Sequence, residues 1–156
     1  MKKAKTQPAA TTAAGKIRYE GAEAAPWELH DASVAYVVDQ VRSGLPVTAF
    51  TGVQARLGVN QTAFTRLTGI SPRTLMRRRT THSGRLTPAE SAPVMRYALL
   101  YKRAVEVFGT AEQAEAWLKK PRPALGGCTP LDYASTEFGA REVEELLGRL
   151  EQGVFS

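Results

Sequence analysis

From residue 34 onward the apolar residues of this chain recur at the spacing of α-helices, in short blocks separated by glycine and proline. Val34, Val37, Val38 and Val41 fall at i, i+3, i+4 and i+7, one stripe that Asp31 or Ser33 can cap and Gly44 closes. β-branched residues also suit strands, but this spacing is helical. Leu45-Pro46 opens a second short helix, with Phe50, Val53 and Leu57 on one face and Gly58 at its end. Asn60 caps a third, whose buried side is Phe64 and Leu67 and which stops at Gly69. Ser71-Pro72 starts a fourth. The serine hydroxyl can accept from backbone N–H groups that have no partner inside the helix, and proline fits the first turn, where its missing N–H costs nothing.

Longer patterns follow. Thr87-Pro88-Ala89-Glu90 has the form of a capping box and opens a helix through Met95, Leu99, Val105 and Phe108 to Gly109. Pro93 removes a hydrogen bond inside it and predicts a bend near its start. Thr110 to Gln113 repeats the capping-box form for a helix ending near Lys120, which Pro121 and Pro123 stop. Thr129-Pro130 begins a short helix with Leu131. The last helix follows Thr136 and carries Val143, Leu146, Leu147 and Leu150 as a stripe, with Gly153 at its end and Val154-Phe155-Ser156 beyond. No stretch alternates with period two, so the predicted fold class is all-α. Phe108, Trp117, Leu131, Phe138, Val143, Leu146 and Leu147 are expected to serve chiefly as core, because a small helical domain needs most of its large side chains to hold itself together.

Charge divides the chain where hydropathy does not. Residues 42–103 hold 11 Lys/Arg against one acid, Glu90, while residues 104–156 hold five Lys/Arg against nine Asp/Glu. A basic middle suits a polyanion and an acidic end does not, so two different partners are implied. Residues 1–28, rich in Ala, Thr and Lys and poor in large apolar side chains, are expected to form a flexible arm. Its lysines either touch a phosphate backbone or simply keep it soluble.

Two short helices with a glycine turn, Gln61 to Thr80, match the helix-turn-helix pattern, with Ile70 and Leu75 as the pins that hold the second helix on the first. Thr68 stands where a larger apolar residue is usual. This places a DNA-binding domain at 29–103. Its candidate contacts are Ser71, Arg73, Thr74, Met76, Arg77 and Thr80 toward the groove, with Arg78 and Arg79 toward phosphates. The plain alternative is a solvated basic face.

Several small motifs recur in a fixed order in the second half: Val107-Phe108-Gly109, Ala116-Trp117-Leu118, Gly126-Gly127, Thr129-Pro130-Leu131-Asp132, Phe138-Gly139-Ala140 and Leu150-Glu151-Gln152-Gly153-Val154. In order and spacing they resemble the toxin-binding domain of Xre/MbcA/ParS-type antitoxins, and the resemblance extends upstream to about residue 43. Pro93 departs from the regular helix of that pattern. The resemblance implies an Xre-like helix-turn-helix domain followed by a helical toxin-binding domain, here 104–156. It also implies a RES-domain toxin that attacks NAD or uses it for ADP-ribosyl transfer as the partner, and repression of the chain's own operon through operator DNA. Independently of the resemblance, the acidic, apolar-striped last helix and the apolar residues after it suit entry into a cleft of a basic partner, which makes Glu144, Glu145, Leu147, Leu150, Glu151, Gly153, Val154 and Phe155 the candidate toxin-binding residues. Single helix-turn-helix units cover little DNA, so a homodimer within a toxin–antitoxin hetero-oligomer is the economical arrangement. The alternatives are a stand-alone regulator whose C-terminal domain dimerises or senses a ligand, and an interaction protein that no longer binds DNA.

The residues do not suggest catalysis. His30 and His82 lack a second ligand at metal spacing, and no Gly-rich phosphate loop or nucleophile elbow is visible, so neither metal nor cofactor is expected. Cys128 is the only cysteine, no apolar run reaches the roughly 20 residues that span a bilayer, and the N-terminal lysines are not followed by an apolar segment of signal type. A reducing, bacterial-type cytoplasm is the expected compartment.

Overall fold

The computed structural model describes residues 32–153 together with Pro26. The expected N-terminal arm, Asp31 and His30, and the tail residues Val154 and Phe155 lie outside the described residues.

Eight α-helices are found among the described residues: α1 Val34–Ser43, α2 Val47–Leu57, α3 Gln61–Thr68, α4 Pro72–Thr80, α5 Pro88–Phe108, α6 Ala111–Leu118, α7 Pro130–Tyr133 and α8 Glu137–Glu151. A 3-10 turn, Pro123–Leu125, joins α6 to α7. The caps follow the sequence. Ser33, Asn60, Ser71, Thr87, Thr110, Thr129 and Thr136 each accept, through a side-chain oxygen, a backbone N–H of the first turn. At Thr87 the box is complete: Thr87 Oγ1 accepts from Glu90 N, and Glu90 Oε2 accepts from Thr87 N at 2.9 Å.

Helix α5 is the axis. It packs against α1, α2, α3, α6 and α8, and it runs unbroken through Pro93. One continuous apolar core extends from Leu45 to Leu147. The expected division at residue 103 falls inside α5, so the two functional regions share a helix. Aromatic rings bind them further. Phe50 on α2 lies 4.6 Å from Phe64 on α3, and Phe64 meets Tyr97 on α5 edge-on at 5.6 Å. The buried Tyr97 hydroxyl then donates to the Leu131 carbonyl of α7 at 2.8 Å.

A second tie closes the other end of the first five helices. Val47 N donates to Gly84 O and Leu86 N to Leu45 O, both at 2.8 Å, so the strand-like pairing around Pro46 and Arg85 pins the start of α2 to the α4–α5 link. Leu45 N donates to the fully buried Ser91 hydroxyl, which satisfies both groups. Gly44 sits at φ +81°, and an added Cβ there would overlap the Leu86 carbonyl oxygen.

Two expectations about apolar residues are corrected. Only Val37 and Val41 of the α1 stripe pack against the core; Val34 remains 80 % exposed and Val38 is also exposed, because α1 is covered along the edge that meets α5. Phe138, expected in the core, is 82 % exposed. The inward face of α8 at that level is taken by Gly139 and Ala140, one turn before Val143, which leaves Phe138 on the polar side.

Candidate nucleic-acid interface and C-terminal surface

Helices α3 and α4 are joined by Gly69, Ile70 and Ser71. Gly69 adopts φ +72°, a left-handed conformation that costs glycine little and other residues more, and turns the chain at the end of α3. Ile70 and Leu75 are both buried and seat α4 on the core. Thr68 is buried as well. Its hydroxyl donates to Phe64 O at 2.7 Å and accepts from Ile70 N, so it fastens the turn where a larger apolar side chain would only fill it.

With Leu75 inward, the opposite face of α4 looks outward. Pro72, Arg73, Met76, Arg77 and Thr80 line a shallow groove along it. Among the expected groove residues, Arg73, Met76, Arg77 and Thr80 are therefore brought together. Ser71 and Thr74 stand aside, since the Ser71 hydroxyl caps the helix by accepting from Thr74 N at 3.1 Å and also bonds the Thr74 hydroxyl at 2.9 Å. Arg73, Arg77 and Arg79 are exposed, and no acid stands on α3 or α4 to neutralise them. Three cations along one short helix form a surface complementary to a phosphate-lined groove.

Arg78 is different. Its Nε donates to Glu90 Oε2 at 3.0 Å and its Nη2 to Glu90 Oε1 at 3.1 Å, and the two side chains are only 23 % and 18 % exposed. Burial raises the Glu90 carboxyl, but the hydrogen bonds from Arg78 and Thr87 and the nearby Arg78 charge more than reverse that and hold it below its usual value. The expected phosphate contact is thus an internal clamp between α4 and the first turn of α5. Nothing in the sequence spacing pointed to it, because Glu90 lies twelve residues away across an irregular link.

The C-terminal surface is built on α8, which lies against α5 and α7 and buries Val143, Leu146 and Leu147. Leu147 is fully buried, so it belongs to the core and is not available to a partner; Leu150 is half-buried against the same core. Glu144, Glu145 and Gly153 are exposed. The surroundings of Glu144 raise its carboxyl by desolvation, against the opposing charges of Arg103 and Arg141. Glu151 is held by Arg103 of α5 through a pair of hydrogen bonds. Phe138, which the periodicity could have assigned to the outer face, stands beside Glu137, Arg141 and Glu142 on it.

Trp117 and Phe108 meet at a tilt with ring centroids 5.5 Å apart, and the Arg122 guanidinium lies 5.0 Å from the Trp117 ring while donating to Trp117 O. Both aromatics therefore act as packing. No cluster of three or more potential metal ligands occurs among the described residues, and no described helix is long and apolar enough to cross a membrane.

Comparison with known proteins agrees with this layout. Residues 37–93 match the Antitoxin Xre-like helix-turn-helix domain, and residues 103–153 match the Antitoxin Xre/MbcA/ParS C-terminal toxin-binding domain. An Antitoxin Xre of Yersinia enterocolitica is 39 % identical over 121 residues, which cover 77 % of this chain and 81 % of the relative. An Antitoxin Xre of Photorhabdus laumondii is 34 % identical over 117 residues, 74 % and 78 % of the two chains. A Prs ADP-ribosylating antitoxin of a Sphingobium species is 37 % identical over 49 residues, 31 % of each. With an outward-facing basic helix in a helix-turn-helix and a separate C-terminal surface on α8, the chain belongs to the Xre family of antitoxins, a helix-turn-helix domain followed by a toxin-binding domain.

Proposed function

We propose that this chain binds and neutralises a RES-domain toxin that consumes NAD or transfers ADP-ribose, and that it represses its own operon by binding operator DNA through α4, as a homodimer within a toxin–antitoxin hetero-oligomer. The observation that carries this reading is the separation of surfaces. Arg73, Arg77 and Arg79, which pair with nothing among the described residues, stand on α4, whereas the exposed glutamates Glu144 and Glu145 stand on α8. The name of the Sphingobium relative joins ADP-ribosylation to an antitoxin, which supports that chemistry for the partner.

A cleft that holds NAD must accommodate a pyrophosphate and is accordingly positive. Glu144 and Glu145 complement such a rim, Glu151 being already engaged by Arg103, and the segment beyond Gly153, with Val154 and Phe155, fills the opening. Phe138 adds an exposed aromatic anchor on the same helix, the type of residue that contributes most at protein interfaces. Leu147 acts from within, by seating α8.

The test is deletion of residues 153–156. The shortened chain should keep its helical signal and unfolding midpoint yet protect cells poorly from the toxin encoded beside it; full protection would argue against the blocking segment. For the DNA arm, a gel shift on the region upstream of the coding sequence should show affinity that falls steeply with salt, by about 0.9 log units per log unit of salt for each phosphate neutralised.

A further inference from the structure

Met76 is the residue on α4 whose position a phosphate-binding role does not explain. It is 67 % exposed, stands in the middle of the α4 groove, and is flanked there by Arg73, Arg77, Pro72 and Thr80. The neighbouring polar groups are otherwise engaged. Ser71 and Thr74 are tied to the cap, Thr80 Oγ1 donates to the carbonyls of Met76 and Arg77, and Arg78 is clamped to Glu90. What remains on the outward face is an unbranched thioether between two cations that pair with nothing among the described residues.

An apolar tip gains nothing at a phosphate and loses by standing in water. The floor of the DNA major groove presents one apolar feature, the C5-methyl of thymine, beside guanine O6 and N7, which accept from arginine. We infer that Met76 reads a thymine methyl, with Arg73 and Arg77 on either side donating to guanine edges or to the adjoining phosphates. The inference rests on the proposed DNA binding of α4 and specifies what that helix selects. Met76 adapts well to the role, since its flexible side chain fits an irregular surface without a fixed rotamer.

The experiment compares two duplexes that span the region upstream of the chain's own coding sequence, one made with thymidine and one with deoxyuridine throughout, which removes only the methyl groups. The full-length wild type should bind the thymidine duplex about fourfold more tightly for each methyl that Met76 covers, the equivalent of burying one methyl-sized group. Met76→Ala and Met76→Gln should bind both duplexes nearly alike, and Met76→Leu, which keeps an apolar tip, should retain the preference. Because Met76 is exposed, none of these substitutions should alter folding. Equal preference for thymidine in the wild type and Met76→Ala, no preference in the wild type, or loss of preference in Met76→Leu would each overturn the assignment. Failure of the wild type to bind either duplex would remove DNA binding by α4, and this assignment with it.

Discussion

Replacing Glu90 tests how α4 is held. Its carboxylate makes three hydrogen bonds: two from Arg78 on α4 and one from Thr87 N at the start of its own helix. Loss of a capping interaction costs about 0.5–2 kcal/mol, and an ion pair of intermediate burial lies between the ~1 kcal/mol of exposed pairs and the ~3–5 kcal/mol lost when one partner of a buried pair is removed. Glu90→Ala should therefore destabilise by about 2–3 kcal/mol, read as a lower denaturation midpoint at unchanged m-value. Arg78→Ala should also lower the midpoint, because it strands a largely covered carboxylate. The double variant should then cost less than the sum of the two, since removing both leaves nothing stranded. The pH dependence has a definite sign. Glu90 is held below its usual value of 4.5, so its contribution is complete above that value and is lost as the pH falls through the lowered one. The stability gap between wild type and Glu90→Gln should stay constant near neutrality and close in that acid range. Additive single and double variants, or a gap that widens on acidification, would refute the clamp.

Other outcomes follow from particular contacts. Arg77→Ala should weaken binding of upstream DNA by about 1–3 kcal/mol if the side chain reaches a base, whereas Arg78→Ala should weaken it less, as measured by gel shift on both variants. Gly139→Ala places a Cβ against the Tyr133 backbone carbonyl and should destabilise by about 1–3 kcal/mol, while Gly148→Ala meets nothing and should stabilise α8 by about 0.5–1 kcal/mol; thermal melts of the two decide. Tyr97→Phe leaves the Leu131 carbonyl without its buried donor and should cost about 1–2 kcal/mol in the same assay. Phe138→Ala, at an exposed position, should leave the melting point unchanged but weaken capture of the toxin in a pull-down.

The helices were legible because their signals are local. Ser71-Pro72, the Thr87–Glu90 box and Gly69 each act within one turn of their own position, and they produced the elements their chemistry dictates. The outward face of α4 was legible as well, since a buried Leu75 fixes which way Arg73, Met76 and Arg77 must point. What spacing could not give was the partner of a charge. Arg78 looked as free as Arg79 until the fold brought Glu90 to it, and Glu151 met Arg103 from forty-eight residues away. Leu147 and Phe138 show two different misreadings. Leu147 fell on the stripe, and a stripe on a terminal helix can face either its own domain or a partner; α5 took it. Phe138 was judged by residue type, although one turn back from Val143 the inward positions were already those of Gly139 and Ala140.

The central claim is that two separable surfaces, one on α4 and one on α8 with the segment after it, serve two different partners. The most direct measurement immobilises the full-length wild type and an Arg73→Ala/Arg77→Ala variant and quantifies, on the same resin, capture of the proposed toxin partner and of upstream DNA. The account predicts undiminished capture of the protein by the variant, with the DNA lost. Loss of both together, or wild type that retains DNA but no such protein, would contradict it.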